Sequence, residues 1–324
     1  MSFVCPQCRG ALIATERNYR CDGCARDYPV VCGIPDFRLR PDPYIGLMED
    51  REKGELLWAA AQHRSFEQLL RHYYDITKED PTDLAAHWIP HSLSEPAIAA
   101  LVLQGAGLSE AGTEMLDIGC STGGMLIAAV RPGRRSVTGV DVAFRWLVVG
   151  QARLREAGVQ ATLVCANAES LPFPDGAFDV VTAQDSLEHF FDPLRAIGEG
   201  RRVSRPDGQS LWTTNNRYCP LPEPHVHLAG VGYLPRAWQA PYVEMRRGDL
   251  HPYWIRMRGA AEWARLFAQA GYQRARVTPA PLIAPHWQSG PLQAALRTYN
   301  RMRAWPVVRQ MTRMIGPRLW IEAR

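Results

Sequence analysis

The stretch that decides the fold is Glu114-Met115-Leu116-Asp117-Ile118-Gly119-Cys120-Ser121-Thr122-Gly123-Gly124. Its apolar beginning predicts a buried strand, its glycines predict a sharp turn, and the apolar residues that follow, 125–130, predict a helix. Glycines let a backbone approach a ligand closely, and the first turn of a helix offers free N–H groups. A single turn of this type is weak evidence, because dinucleotide-binding proteins use a similar one.

The segments that follow alternate between strands and helices. Ser136–Asp141 predicts a second strand, which places a carboxylate where it can accept both hydroxyls of a ribose. Alternation at this spacing indicates a parallel sheet with helices on both faces. Further strands are predicted at 161–165, 180–183 and 209–214, and helices at about 143–157 and 193–203.

Residues 113–215 resemble the class I S-adenosylmethionine-dependent methyltransferases, in the broad group that includes the ubiquinone and menaquinone biosynthesis enzymes. The ordered motifs include Leu171-Pro172-Phe173-Pro174-Asp175-Gly176-Ala177-Phe178-Asp179, a signature that dehydrogenases lack. The resemblance implies an α/β fold over residues 111–324, with a Rossmann-like seven-stranded methyltransferase sheet whose last strand is antiparallel. It also implies methyl transfer from S-adenosylmethionine.

The resemblance further implies which residues bind this cofactor. Two of them depart from the usual pattern, since Ser121 stands in place of a glycine and Asn167 in place of an aspartate. Both fit, because serine is small and an amide still offers an acceptor to the adenine amino group. The predicted cofactor residues are Asp117, Gly119, Cys120, Ser121 and Gly123 in the turn at the methionine end, Asp141 at the ribose, Val142, Asn167 and Ala168 at the adenine, and Gln184 beneath the cofactor.

The first forty residues contain two cysteine pairs, Cys5-Pro-Gln-Cys8 and Cys21-Asp-Gly-Cys24. A two-residue gap lets a tight turn point both thiolates at one ion, and two pairs complete the tetrahedral sulfur shell of zinc. We predict a small zinc ribbon over residues 1–40, with a structural metal; the alternative is four unconnected thiols. With Tyr28–Phe37, the segment resembles the zinc ribbon fused to some rRNA guanine methyltransferases and the zinc-ribbon activator subunits of other methyltransferases.

Residues 41–110 are predicted to form a helical linker and N-terminal cap. Pro41-Asp42-Pro43 indicates a linker, and helical spacing follows to residue 65. Beyond it, residues 66–103 predict short helices interrupted at Pro81, Pro90 and Pro96, because proline removes a helical hydrogen bond. These helices would either cover a ligand cleft or serve as scaffolding.

The methyl acceptor is expected beyond the carboxyl ends of the strands, where ligands bind in open α/β sheets. After the fourth strand, Asp185, Glu188 and His189 are spaced to share one face of a helix. They resemble the acidic-histidine cluster of the ubiquinone O-methyltransferases, which binds a divalent cation; a hydrogen-bonded cluster is the alternative. His189 is also a candidate base for an acceptor hydroxyl, although in the family this sequence often supports the loop instead.

Residues 216–258 form a long insertion rich in aromatic side chains, which we interpret as an acceptor lid. Within it, His225-Val226-His227 is predicted to place two imidazoles on one side of a strand. Either His225 or His227 is then a candidate catalytic residue. Together they could also bind a metal ion, but the sequence offers no evident third ligand.

A second insertion, 279–316, separates a predicted sixth strand over 272–278 from a closing antiparallel strand over 317–324. Within it, Leu292–Met302 and Val307–Ile315 predict two basic amphipathic helices. Such helices can lie on an anionic membrane or bind RNA phosphate. The alternative is a cap over the sheet edge or over the partner in a homodimer.

Composition narrows the class of protein. The 324 residues suggest about two structural units, and 46% apolar with 22% charged residues excludes a disordered chain. The net charge of +4 divides into −11 over residues 41–200 and +13 over residues 201–324, so the acceptor or its carrier is expected to be acidic. No stretch is apolar enough to span a membrane and the first residues do not resemble a signal peptide, so a cytoplasmic location is expected.

These features predict a methyltransferase that modifies a small molecule, at oxygen: a natural product, a quinone-like ring or a lipid-linked sugar. The alternative is an RNA methyltransferase (acting on rRNA or tRNA), which the zinc ribbon and the basic C-terminal region favour. Against it, the sequence lacks the Asn-Pro-Pro-aromatic type of motif that grips a flipped base. A non-catalytic partner protein is a third class, which the intact cofactor motifs disfavour.

Overall fold

The computed structural model describes residues 2–77, 82–108, 114–130, 136–248, 253–283 and 290–324. The chain divides into two compact units. The first unit comprises Met1–Thr182 and Glu199–Gly208, and the second comprises Ala183–Gly198 and Gln209–Arg324. The predicted boundary between cap and methyltransferase domain, at residues 110 and 111, lies outside the described residues.

The N-terminal segment of the first unit is a small antiparallel sheet. Its strands follow the chain order β1 to β4, and each pairs with the next. Arg9 and Ala25, the residues directly after Cys8 and Cys24, both adopt left-handed backbone conformations, so the two cysteine turns have matching geometry. The strands are β1 (Leu12–Ala14), β2 (Asn18–Cys21), β3 (Asp27–Val31) and β4 (Ile34–Pro35).

Three helices follow the small sheet: α1 (Leu47–Ala60), α2 (Phe66–Ile76) and α3 (Thr82–Gly105). The predicted interruptions at Pro90 and Pro96 are wrong, because α3 continues through both prolines. Apolar residues before and after these prolines, among them Ile89 and Val102, are buried, and their burial offsets the lost backbone hydrogen bonds. Pro81 lies outside the described residues.

The main sheet has seven strands in the order β10-β11-β9-β8-β5-β6-β7. β5 pairs in parallel with β6 and β8, whereas β11 is antiparallel to both β9 and β10. The predicted α/β fold with an antiparallel last strand is therefore confirmed. Its strands are β5 (Glu114–Ile118), β6 (Ser136–Asp141), β7 (Thr162–Cys165), β8 (Phe178–Ala183), β9 (Ser204–Asn215), β10 (Ala275–Pro279) and β11 (Arg318–Ala323).

The remaining helices lie close to their predicted positions. Both helices of the second insertion begin one residue earlier than predicted, each with a proline in its first turn, where the missing N–H is not needed. Among the described residues, no helix is both long and apolar enough to cross a membrane. The helices are α4 (Gly124–Val130), α5 (Phe144–Glu156), α6 (Pro193–Val203), α7 (Arg236–Arg247), α8 (Ala260–Gln269), α9 (Pro291–Met302) and α10 (Pro306–Ile315).

Candidate functional site

The turn after β5 is fastened to β6 by its own backbone. The N–H groups of Gly119 and Cys120 both donate to the carbonyl oxygen of Val140, at 2.7 and 3.0 Å. Gly119, Ser121 and Gly123 have φ values of 77°, 46° and 81°, in the left-handed region. The backbone therefore requires at position 121 the conformation that glycine adopts most easily, which explains the glycine usual in the family. The Cys120 side chain is buried.

Asp141 closes this turn from the end of β6. Its two carboxylate oxygens accept hydrogen bonds from the backbone N–H groups of Ser121 and Ala143, each at 2.8 Å. Each oxygen keeps a second lone pair, so the carboxylate can still accept the two hydroxyls of a ribose. Burial raises the pKa of Asp141 to about 6.

Asp117 is a buried carboxylate at the start of the same turn. It accepts a hydrogen bond from the Thr182 hydroxyl at 2.7 Å. Burial, with the charges of Asp141 and Glu95, raises the pKa of Asp117 to about 7. A cationic ligand beside this carboxylate would favour its ionised form, and S-adenosylmethionine carries both an ammonium and a sulfonium group.

The residues predicted to border the adenine are held by the segment that follows the small sheet. The side-chain oxygen of Asn167 accepts from the N–H groups of Leu39 and Arg40, at 2.8 and 3.1 Å, and its amide nitrogen donates to the Arg40 carbonyl at 3.2 Å. Arg38 donates to the carbonyl of Val142 at 3.0 Å. Both lone pairs of the Asn167 oxygen are thus engaged, so a bond from an adenine amino group would have to displace one of these contacts. The buried Ala168 follows Asn167 directly.

Arg38 belongs to a buried network of charges. Its guanidinium lies 2.7 Å from Asp36 and 2.5 Å from Asp50, and none of these three side chains is exposed. Arg145 extends the network, with its guanidinium 2.9 Å from both Asp42 and Asp50. Although burial alone would raise it, the arginines beside Asp36 hold the pKa of that carboxyl below its ordinary value. The network joins the segment after the small sheet to α1 and α5.

The four predicted zinc ligands come together in the small sheet. Their sulfur atoms all lie within 4.8 Å of one another, with 3.6 Å between Cys5 and Cys24 and 3.4 Å between Cys8 and Cys21. Zn–S bonds of about 2.3 Å in a tetrahedron would place the sulfurs about 3.8 Å apart, close to these distances. The Tyr28 hydroxyl lies 3.1 Å from the Cys5 sulfur, where it can donate to a thiolate. The four side chains therefore fit a zinc ion.

In the second unit, two histidines predicted separately meet. Nε2 of His189 lies 3.1 Å from Nε2 of His225, and Nδ1 of His225 lies 2.5 Å from a carboxylate oxygen of Glu223. Glu223 is buried and also accepts the backbone N–H groups of His225 and Val226. The result is a chain of three side chains, Glu223, His225 and His189, which we call the carboxylate–histidine relay.

The two histidines differ in their affinity for a proton. Although burial alone would lower it, the Glu223 carboxylate, with Glu188 and Asp185, raises the pKa of His225 above its ordinary value. His189 is more exposed than His225. Partial desolvation by the surrounding protein and the neighbouring His225 lower the pKa of His189. A proton shared by the pair is therefore held by His225.

The acidic residues of the same loop do not share a helical face, so that prediction is wrong. Asp185 has a left-handed φ of 50°, which breaks the helical spacing. Its carboxylate pairs with Arg318 of β11 and accepts the Thr213 hydroxyl. Glu188 is buried, and Thr214 and Asn215 donate to its oxygens at 2.6 and 2.7 Å.

The prediction of a strand through His225 and His227 is also wrong. The segment forms a turn, in which the N–H of His227 donates to the carbonyl of Glu223 at 2.7 Å and His227 adopts a φ of 52°. His227 is exposed and takes no part in the close group of Glu188, His189 and His225. Gln184, half-buried directly after β8, accepts the Ser186 hydroxyl at its carbonyl oxygen.

The sequence did not predict two groups of residues that take part in these contacts. Glu223 carries a local signal, since a carboxylate two residues before a histidine can reach its ring. Arg318 and the segment 38–40 carry none, because their contacts span 133 and up to 128 positions of the chain.

Residues 116–211 match the family model described as a methyltransferase domain. A ubiquinone biosynthesis O-methyltransferase from Aromatoleum aromaticum is 29% identical over 224 residues, which cover 67% of this chain and 84% of that protein. A demethylmenaquinone methyltransferase from Anoxybacillus flavithermus is 27% identical over 230 residues, covering 67% and 89%. Phosphoethanolamine N-methyltransferase 2 from Haemonchus contortus, solved with S-adenosyl-L-methionine, aligns with a TM-score of 0.46 at 17% identity, over 70% of this chain and 52% of that one. The family match and the two sequence relatives agree with the ordered motifs of residues 113–215, and the chain contains a class I S-adenosylmethionine-dependent methyltransferase domain.

Proposed function

We propose that this enzyme methylates a hydroxyl group on a small aromatic acceptor of the phenol or catechol class from which quinones are made. Two relatives support the acceptor class, since one is named a ubiquinone biosynthesis O-methyltransferase, the other a demethylmenaquinone methyltransferase, and neither is named for RNA. The carboxylate–histidine relay supports oxygen as the acceptor atom, because a hydroxyl must lose a proton as it is methylated. The 3.1 Å contact between His189 and His225 is the single observation that carries the proposal.

The protonation states follow from the contacts. With Nδ1–H of His225 donating to Glu223, the Nε2 of His225 accepts from Nε2–H of His189. This arrangement leaves an unprotonated Nδ1 on His189, which can take a proton. The proton that enters at Nδ1 of His189 is balanced by transfer of its Nε2 proton to His225, whose positive charge Glu223 stabilises.

When bound, S-adenosylmethionine would supply an electrophilic methyl group, and Asp117 and Asp141 would hold its cationic groups and its ribose. The enzyme acts as a general base, because it accepts the proton of the acceptor's hydroxyl group. Proton acceptance requires the histidine pair to be neutral. Activity should therefore rise as the pH rises through the raised pKa of His225, and then level off.

Methyl transfer to a catechol with an alkyl tail tests the proposal. His225→Gln should lower kcat by about 100-fold or more, because the relay loses the imidazole that accepts a proton from His189. Glu223→Gln should lower kcat and move the midpoint of the pH profile to lower pH, because the carboxylate that raises the pKa of His225 is gone. Both variants should still bind S-adenosylmethionine in calorimetry. An unchanged pH midpoint in Glu223→Gln would rule out the relay.

The same assay, run with a chelator, separates the relay from a divalent cation held by Glu188, His189 and His225, whose ligand atoms lie within 4.8 Å of one another. We favour the relay because both Glu188 oxygens already accept hydrogen bonds from Thr214 and Asn215. Activity should persist in excess EDTA added at assay, whereas loss of activity that Mg²⁺ restores would favour the cation.

We further propose that Cys5, Cys8, Cys21 and Cys24 bind one structural zinc ion. Four cysteines saturate its coordination, which leaves no position for substrate. Metal analysis of the purified protein should give one zinc per chain. Cys5→Ser with Cys8→Ser should remove the zinc and lower the thermal midpoint, while Cys219→Ser, outside the group, should change neither. Zinc retained in the double variant would contradict the assignment.

A further inference from the structure

Helix α10 directs its apolar face toward solvent. None of its ten residues is buried. Val307, Met311 and Met314 lie at i, i+4 and i+7 on one side of the helix and are 73%, 56% and 60% exposed. Trp305, at the position that precedes the helix, is 60% exposed. A helix that only covered a sheet edge would bury this apolar side. The exposed apolar face of α10 is therefore available to bind another surface.

The same segment is strongly and uniformly basic. No acidic residue occurs between Glu262 and Glu322. In the part of the chain that the structure describes, no acidic side chain forms an ion pair with an arginine of α9, of α10 or of the segment between them. A partner for this surface must therefore combine apolar contact with negative charge. These arginines are Arg297, Arg301, Arg303, Arg309 and Arg313.

We propose that α9 and α10 dock the enzyme on an anionic lipid bilayer. Val307, Met311 and Met314 enter the boundary between headgroups and acyl chains, and the arginines contact the lipid phosphates. Trp305 has the amphipathic ring that is enriched at this depth of a membrane.

Other occupants fit the surface less well. In a symmetric dimer formed through this surface, the five arginines of one copy would face the five arginines of the other. Like charges would then oppose each other. RNA would satisfy the arginines, but it would leave the aliphatic side chains of α10 exposed, because single-stranded RNA is bound by stacking on aromatic rings. An anionic membrane satisfies both the charge and the apolar face. Docking does not depend on the proposed acceptor, although it would bring the enzyme to lipophilic substrates.

Flotation of the full-length protein with lipid vesicles tests this. The protein should float with vesicles of phosphatidylcholine containing about one third phosphatidylglycerol, should not float with phosphatidylcholine alone, and should be released as salt screens the headgroups. Met311→Ser with Met314→Ser should weaken binding at least tenfold, by roughly the apolar area that they bury. Arg301→Gln and Arg309→Gln should each weaken it about fivefold.

The chain offers a matched control. Met48 and Leu56 on α1 are apolar and are 62% and 64% exposed, much like the α10 positions. They lie, however, among Glu49, Glu52 and Glu55. Met48→Ser with Leu56→Ser should leave vesicle binding unchanged, and all variants should keep the wild-type thermal midpoint.

Three results would overturn the proposal. Equal flotation of the Met311→Ser/Met314→Ser variant would exclude α10 as the membrane contact. The protein could instead fail to float and form a dimer at higher concentration. If this variant abolished that dimer, the face would be assigned to a second copy. Binding to RNA in place of vesicles, sensitive to nuclease and to Arg309→Gln, would assign it to RNA.

Discussion

Ser121 occupies a backbone conformation that disfavours any side chain with a Cβ. Its φ of 46° lies in the left-handed region, and its N–H is fixed by Asp141 at 2.8 Å. Ser121→Gly should relieve this strain and raise the free energy of unfolding by about 0.5–1 kcal/mol, after the larger chain entropy of glycine in the unfolded state is taken into account.

Urea unfolding of Ser121→Gly beside Ser121→Ala checks this. Alanine keeps the Cβ and should leave the stability within about 0.5 kcal/mol of the wild type. Glycine and alanine variants that are both less stable than the wild type would show that the serine hydroxyl, not the backbone, decides the choice at this position.

Asp117 is stabilised in its protonated form when no cofactor is bound. Its pKa of about 7 in the folded state exceeds the value of about 3.9 in an unfolded chain, so the folded carboxyl keeps a proton that the unfolded one releases. This lowers stability progressively as pH rises from about 4 to about 7. Asp117→Asn should therefore stabilise the cofactor-free protein at pH 8 by roughly 1–4 kcal/mol, and less at pH 5.

The same substitution should weaken binding of S-adenosylmethionine, because a neutral amide cannot pair with the ligand's cationic groups. Thermal unfolding at the two pH values and calorimetry with the cofactor measure both effects. Asp207→Asn, at an exposed position of the same unit, is the control and should change neither. A destabilised Asp117→Asn protein at pH 8 would contradict the assignment of the raised pKa.

At this scale, local pattern predicts the backbone well and side-chain partners poorly. The turn that contains Gly119, Ser121 and Gly123 follows from its glycines. The partner of Asn167 could not be predicted, because Leu39 and Arg40 approach it only after two distant segments have packed. The pairing of His189 with His225 likewise joins positions 36 residues apart.

Among the elements, the segment 38–40 connects the small N-terminal sheet to the predicted adenine site. Arg38 sits between Asp36 and Asp50 with no exposed side-chain surface. Arg38→Met should leave two buried carboxylates without this partner, and should lower the free energy of unfolding by about 3–5 kcal/mol. It should also weaken cofactor binding, because the carbonyl of Val142 loses its donor.

Arg40 provides the matched control on the same segment. Its guanidinium lies 3.4 Å from Glu169 and is 43% exposed, so Arg40→Met should cost less than about 1 kcal/mol. Urea unfolding and calorimetry should separate the two variants. Equal stabilities would mean that the buried network contributes no more than a surface ion pair.

The elements themselves were largely predictable, since the strands and helices of the main sheet follow from periodicity and glycine signals. Failures occurred where tertiary packing opposes a local rule. α3 passes through Pro90 and Pro96 because its flanking apolar residues are buried. The segment around His225 turns because the buried Glu223 accepts the N–H groups of His225 and Val226, which a strand would offer to a neighbour.

Over the whole molecule, charge is divided unevenly along the chain. The −11 of residues 41–200 includes Asp141, the carboxylate predicted to bind the ribose, and the +13 of residues 201–324 includes the exposed arginines of α9 and α10. Sequence alone locates this asymmetry, but it does not reveal that the apolar side of α10 faces solvent. That distinction separates a cap from a docking surface.

The destination of the methyl group tests the central claim most directly. The full-length protein would be incubated with methyl-labelled S-adenosylmethionine and with a catechol that carries an alkyl tail, in the presence of total RNA as a competing acceptor. We expect the label to appear in the organic extract as an alkali-stable methyl ether, and in that fraction to depend on His225. Label recovered in RNA, with none in the extract, would contradict the account.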